Sequence, residues 1–258
     1  MDLLIPHEKY LEAGVHIGTR IATTDMKKFV YKYRKDKLVM LSIDQIDKRI
    51  REMAQMLAKY DFSRVVIVAS RVYAIPAAKK FAELTGAKVF AGRFVPGTFT
   101  NPSKKDFFEP SVVFVCDPRI EVQALIESTE LGVPTVGMVD TDNSLRYMDF
   151  FIPCNNKGKK SVPLVFYLLA REVLKAKKQI SSDAEFTAKP EDFELGGTEK
   201  PEGEVDEAGE GQDVEIKAET ESGAVAEKAE PETAKPAEAE AEEESDEQTD
   251  SEADSEAN

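Results

Sequence analysis

A doubly wound α/β domain with a central parallel sheet is what this 258-residue sequence predicts, and three observations predict it. Short β-branched runs such as Val65–Ala69 are apolar without alternation, the pattern of strands covered on both faces. Segments between them place apolar residues at three- and four-residue intervals, as helices with one face on a core do. Strand and helix then alternate along the body, which calls for parallel strands, right-handed crossovers and helices on both faces.

The elements follow in order. Pro6 to Ala13 reads as a short helix stopped by Gly14. Val15–Ile21 and Phe29–Leu41 alternate apolar and polar residues, predicting extended segments around a turn at Thr23-Thr24-Asp25. Ser42 and Gln45 have the spacing of a capping box. Behind them Ile43, Ile46, Ile50, Met53 and Leu57 mark an amphipathic helix. After the strand Val65–Ala69, a helix begins at Pro76, packs Phe81 and Leu84, and ends at Gly86. Lys88–Ala91, Val112–Cys116 and Pro134–Val139 are strands. A helix capped by Asp117-Pro118 and ended by Gly132 separates the last two. Phe150–Ile152 is a final short strand. The loop after it, through Asn155, Asn156 and Gly158, suits left-handed backbone angles. Ser161 then caps a helix over Val162–Lys178, with Pro163 tolerated in its first turn.

Charge divides the chain. Residues 1–180 hold 29 Lys+Arg against 20 Asp+Glu, a net +9, whereas residues 181–258 hold 5 against 29, a net −24. From Ser181 onward the composition is Glu, Ala, Pro, Ser and Thr, with Phe186 and Phe193 as the aromatics. Such a segment buries too little apolar surface to offset chain entropy, and it predicts a disordered acidic tail at 181–258. A basic body at 1–180 beside an acidic tail points to a nucleic-acid partner. The N-terminus has no basic stretch or apolar run of signal-peptide type, and no run is long enough to cross a bilayer. Cys116 and Cys154 make no disulfide framework. Beside only His7 and His16 they argue against zinc, and they suit buried thiols in a reducing cytosol.

In doubly wound folds ligands meet the loops at the carboxyl ends of the strands. Those loops begin Ser70-Arg71, Gly92-Arg93, Asp117-Pro118 and Asp140-Thr141-Asp142-Asn143. None has the spaced glycines that let backbone approach a pyrophosphate, and no phosphate-loop Lys-Ser/Thr signature occurs, so no nucleotide cofactor is expected. Gathered around magnesium, Asp117, Asp140 and Asp142 would make a phosphometabolite enzyme the alternative. Helix caps and Asx-turns explain the same residues without an ion. Neither histidine lies near a serine or cysteine nucleophile in the sequence.

The cations are more informative. Phe29–Lys37 interleaves aromatics with Lys32, Arg34 and Lys35, a mix that suits stacking on or gripping RNA; Arg20, Lys27 and Lys28 precede it. Arg71 follows the first β-branched run. The connection Gly92–Pro102 is unusually long and fixed by glycine, proline and two phenylalanines, with Arg93, Lys104 and Lys105 supplying charge beside it. Lys157, Lys159 and Lys160, set against orphan N–H groups at a helix start, form a candidate phosphate cradle.

Taken together, Ala13-Gly14-Val15-His16-Ile17-Gly18, Ser70-Arg71, Gly92–Asn101, Asp117-Pro118-Arg119, Thr141-Asp142, Ile152–Gly158 and Leu168-Leu169-Ala170-Arg171-Glu172 carry a resemblance. The sequence resembles the universal small-subunit ribosomal protein two family, in its archaeal and eukaryotic branch, over about Pro6 to Lys178. The long coiled-coil insertion of the bacterial branch does not occur. The resemblance implies a flavodoxin-like sheet and a structural, non-catalytic role with no cofactor. It implies docking on the solvent-facing side of the small subunit near the head–body junction. Small-subunit ribosomal RNA and neighbouring ribosomal proteins are then the partners, in the cytoplasm, with no membrane and no small-molecule substrate. Two departures stand out. Ala74, Ile75 and Pro76 replace a glycine, a glutamine and an arginine, removing one expected cation. Glu121 stands where relatives commonly carry aspartate, an exchange expected to change little.

Overall fold

The computed structural model describes residues 3–180 and 183–194; the expected disordered tail from residue 195 on lies outside the described residues. A small antiparallel hairpin, β1 (Val30–Tyr33) and β2 (Val39–Leu41), precedes a five-stranded parallel sheet. That sheet comprises β3 (Val65–Ala69), β4 (Lys88–Ala91), β5 (Val112–Val115), β6 (Thr135–Val139) and β7 (Phe150–Pro153), ordered β4-β3-β5-β6-β7. The helices are α1 (His7–Ala13), α2 (Ile43–Leu57), α3 (Ala74–Thr85), α4 (Val122–Glu130) and α5 (Ser161–Ala176). The strand order steps outward from β3 to β4, then restarts on the other side of β3 with β5, as a flavodoxin-like sheet does.

Alternation along the central strands divides the core into two layers. Val65, Ile67 and Ala69 of β3, with Val112, Phe114 and Cys116 at β5, face the layer built by α2, α3 and α5. Val66, Val68, Val113 and Val115 face the other layer, which contains Ala124 and Leu125 of α4 together with Phe94 and Phe99. The two layers are covered differently. On the second face the long connection after β4 takes the place of a helix, with Phe90, Phe94 and Phe99 in mutual ring contact at 4.8–6.2 Å. Its backbone polar groups then need partners, and the buried carboxylate of Glu127 on α4 accepts the N–H groups of Gly97 (2.6 Å) and Phe99 (3.1 Å). Packing explains this loop's length.

Sheet closeness fixes one residue type. A Cβ on Gly137, in β6, would stand 2.0 Å from the Val115 carbonyl oxygen.

Several boundaries differ from the sequence reading, each for a local reason. Phe29–Leu41 is not one extended segment: it doubles back at a turn where Lys37 takes φ 63°, and Arg34 N–H donates to Leu38 O. Asp25–Phe29 is a 3₁₀ turn, and Val15–Ile21 meets the hairpin through one bridge, Ile17 to Met40. Ser42 occupies the N-cap of α2 but makes no side-chain cap, so the capping box does not form. Helix α3 starts before Pro76, because the Ala74 and Ile75 N–H groups both reach Arg71 O. At α4 the N-cap is Glu121, and Asp117 instead closes an Asx-turn on Arg119 N–H. Ser161 is the first residue of α5 and its hydroxyl donates to Asn155 O.

The largest correction concerns the body's end. Asp183–Glu194, assigned by composition to the disordered tail, packs on α3 and α5 through two 3₁₀ turns, Asp183–Glu185 and Pro190–Phe193. Phe193 is fully buried, and Tyr167 contacts both Phe186 (5.4 Å) and Phe193 (6.0 Å). Asp183 pairs with Arg171 at 3.2 Å and with Lys175. Composition averaged over the tail diluted these two phenylalanines among many acids. Phe193→Ala should therefore lower folding stability by about 3 kcal/mol or more, as truncations of fully buried aromatics do. Urea denaturation of the full chain measures this, and an unchanged midpoint contradicts the packed strap.

Candidate nucleic-acid interface

The carboxyl ends of β3, β5, β6 and β7 gather the loops on which sequence reasoning placed most of the candidate residues. The crevice between β3 and β5, where the strand order reverses, is the ligand site of this fold type. Here it is filled by the protein's own side chains. Glu121 is buried, and its two oxygens accept Ser70 N–H (2.7 Å), Cys116 N–H (2.8 Å) and Asp117 N–H (3.0 Å). Those are the donors an anionic ligand would use. Burial pushes the Glu121 carboxyl up to about 8, against the pull of the three N–H groups. Next to it, the Arg71 Nε donates to buried Asp117 at 2.6 Å.

The aspartate loops are tied to cations in the same way. Asp117 Oδ1 accepts Arg119 N–H (3.0 Å) and the Asn143 side-chain amide (3.1 Å). Lys157 Nζ lies 2.8 Å from both oxygens of Asp142 and 3.2 Å from Asp140. Arg119 reaches Asp142 at 3.3 Å. Asp140 also turns on itself, accepting Thr141 N–H at 2.6 Å. The three aspartates of the magnesium alternative thus each face an arginine or lysine, and of the caps and Asx-turns expected instead, Asp117 closes an Asx-turn on Arg119 N–H.

Lys157 differs from its expected setting. Its ammonium is clamped on the aspartates, and the N–H groups of Lys157 and Gly158 both donate to Asn155 Oδ1 at 3.0 Å. The cradle is occupied by an asparagine side chain. Lys159 and Lys160 remain exposed at the start of α5.

The N-terminal segment crosses this same end of the sheet. Thr19 and Thr141 hydroxyls meet at 3.0 Å, Thr23 N–H donates to Thr141 O at 2.9 Å, and Asn155 N–H to Val15 O at 2.9 Å. Gly18 lies so near that a Cβ would stand 2.5 Å from the Thr141 methyl. Arg20 follows directly after these contacts, and it is exposed. Lys27, Lys28, Lys32, Arg34 and Lys35 follow on the 3₁₀ turn and hairpin, all exposed, with Arg34 paired to Asp36 at 3.2 Å. Arg93 and Lys105 are exposed on the long connection, whereas Lys104 Nζ donates to Pro96 O at 2.6 Å. The structure thus separates the candidates into exposed cations and three engaged internally: Arg71, Lys104 and Lys157.

Two cations escaped the sequence reading. Arg119 projects from the β5 loop with a 70 % exposed side chain, and Arg146 is exposed, its guanidinium 4.7 Å from the Tyr147 ring centroid. Their position in strand-end loops was the available signal. Cys116 and Cys154 are buried free thiols whose pKa values burial raises. Among the described residues no group of three or more His, Cys, Asp or Glu is placed to hold a metal, and no helix is long and apolar enough to cross a membrane.

The fold is a doubly wound α/β domain whose crevice donors are taken by its own side chains and whose loops and hairpin carry exposed cations. Comparison with known proteins makes this specific. The family model described as Ribosomal protein S2 matches residues 10–107 and 103–176. The chain is 48% identical to small ribosomal subunit protein uS2 of Staphylothermus marinus, over 76% of this chain and 89% of that protein. It is 48% identical to the uS2 protein of Korarchaeum cryptofilum, over 74% and 88%. To that of Saccharolobus solfataricus it is 43% identical, over 76% and 84%. The chain belongs to the ribosomal protein S2 family, in its archaeal branch, and the role is structural rather than enzymatic.

Glu121 yields a pH-dependent expectation. Its folded pKa of about 8 lies above the value of 4.5 for an unperturbed glutamate, so its contribution favours folding at low pH and is lost as pH rises from 4.5 toward 8. Glu121→Gln removes this titration while turning an amide NH₂ toward backbone donors. The variant should be the less stable one at pH 5, with the gap to wild type narrowing as pH approaches 8. Glu121→Ala leaves the three donors without their acceptor and should cost at least about 3 kcal/mol at pH 5, at roughly 1–3 kcal/mol each, with its gap to wild type also narrowing toward pH 8. Urea titrations across pH 5–8 measure both; a constant gap for the glutamine variant contradicts the assignment.

Proposed function

We propose that this chain is a structural constituent of the small ribosomal subunit that binds ribosomal RNA through its exposed rim and hairpin cations and contacts neighbouring ribosomal proteins. One observation carries the reading beyond family membership. The cations divide into Arg71 and Lys157, paired with buried carboxylates, and those exposed to solvent, among them Lys159, Lys160, Arg20, Arg93 and the hairpin cations. Surface lysines and arginines of this kind meet phosphates and release counterions. The protein would then work in the cytoplasm as part of the ribosome. A magnesium-dependent phosphometabolite enzyme gains no support, because Arg71, Arg119 and Lys157 already answer the aspartates.

The two groups of cations should respond differently to mutation. Lys159→Ala with Lys160→Ala should weaken binding to a small-subunit ribosomal RNA transcript. The log–log salt slope should flatten by a little under ~1 for each phosphate that is no longer neutralised. Lys157→Ala should instead lower folding stability, by roughly 3 kcal/mol, because it leaves buried Asp140 without its cation. Filter binding at several salt concentrations and urea denaturation separate the outcomes. An unchanged slope in the double variant would remove these lysines from the interface.

A further inference from the structure

Strand β1 is not regular. Val30 pairs with Leu41 and Lys32 with Met40, leaving Tyr31 as an extra residue with no partner across the hairpin. Successive side chains on a regular strand point to opposite faces, but a bulge re-aims them. Here Tyr31 and Lys32 line one pocket of about 330 Å³ together with His16, Met40, Ser42 and Asp44. Tyr31 is 72% exposed, and the Lys32 Nζ lies 5.7 Å from its ring centroid.

The walls specify a ligand. Tyr31 offers an aromatic face, and His16, buried and with a pKa that burial lowers, offers an uncharged ring. Lys32 supplies one positive charge. The Asp44 carboxylate and the Ser42 hydroxyl are acceptors, and a carboxylate pairs with an exocyclic amine of a base. We propose that this pocket receives one unstacked nucleotide of the bound RNA, its base on Tyr31, its exocyclic amine donating to Asp44 and its phosphate on Lys32. The assignment rests on the RNA-binding reading above and adds a site that recognises a single-stranded, amine-bearing base rather than duplex backbone.

The test uses the full chain and short fluorescently labelled oligo(C) and oligo(U), with anisotropy read at low salt. Cytosine carries the amine and uracil does not. Wild type should bind oligo(C) more tightly. Tyr31→Ala should lose roughly five- to hundredfold in affinity for oligo(C), the range for removing one aromatic stacking partner. Tyr31→Phe, which keeps the ring, should retain it. Asp44→Ala should erase the preference for oligo(C) over oligo(U). Thermal unfolding of each variant verifies that the exposed substitutions leave the fold intact. Equal binding of both oligonucleotides by wild type overturns the assignment of Asp44. Wild-type affinity in Tyr31→Ala overturns the pocket, and the RNA reading then stands if Lys159→Ala with Lys160→Ala still weakens transcript binding. Absence of binding to the transcript and to both oligonucleotides overturns the two together.

Discussion

Three backbone N–H groups point into the crevice between β3 and β5, and the Glu121 carboxylate accepts all of them. This single side chain determines much of what the domain can do. A parallel sheet of this order leaves donors exposed where the strand order reverses, and nucleotide-binding relatives of the fold commonly direct them at a phosphate. Here they are satisfied internally. Arg71 on Asp117 seals the same place from the other side. These donors are therefore not available to a phosphate, and the exposed cations lie on the loops and hairpin outside the crevice.

Charge is sorted by the same logic. A cation beside a buried carboxylate compensates a desolvation cost, and removing it costs several kcal/mol. An exposed ion pair contributes about 0–1 kcal/mol, so an exposed lysine is nearly free to exchange its partner for a phosphate. Lys157 and Arg71 belong to the first kind, next to the buried Asp140 and Asp117. Lys159, Lys160, Arg93 and the hairpin cations belong to the second. Net charge alone cannot make this distinction, because the +9 body counts both kinds alike.

The fold was legible where a pattern is local. Continuous β-branched runs located β3, β5 and β6, and three-to-four spacing located α2, because burial on a sheet or helix face imposes a period on the sequence. Interactions between distant residues leave no such period. Nothing near Glu121 indicates that it reaches Ser70, fifty-one positions away, or that its carboxylate gathers three backbone donors. Asp117 shows the converse error, since a residue suited to cap α4 was taken up by Arg71, Arg119 and Asn143. Phe193 was missed because composition averages a segment, whereas one fully buried ring is enough to dock it. Of the candidate site, the basic residues were readable from type and spacing; which of them remain in solvent required the geometry.

The hairpin shows how the two parts of the surface are joined. Its base is anchored by Phe29, whose ring meets Phe151 edge-on at 5.3 Å, with the Arg49 guanidinium 5.6 Å from Phe29 and 4.7 Å from Phe150. Those contacts tie β1 to α2 and β7, and hence to the rim loop that follows β7. The N-terminal segment, held to Thr141 and Asn155, ties the same hairpin to the β6 loop. These supports hold Phe29, just before β1, and the N-terminal segment, whereas Tyr31, Lys32 and Tyr33 are exposed. Tyr31, Lys32 and Tyr33 stand exposed on this anchored base, and a fixed base with aromatic and basic residues at its edge is the arrangement the proposed RNA contact would use.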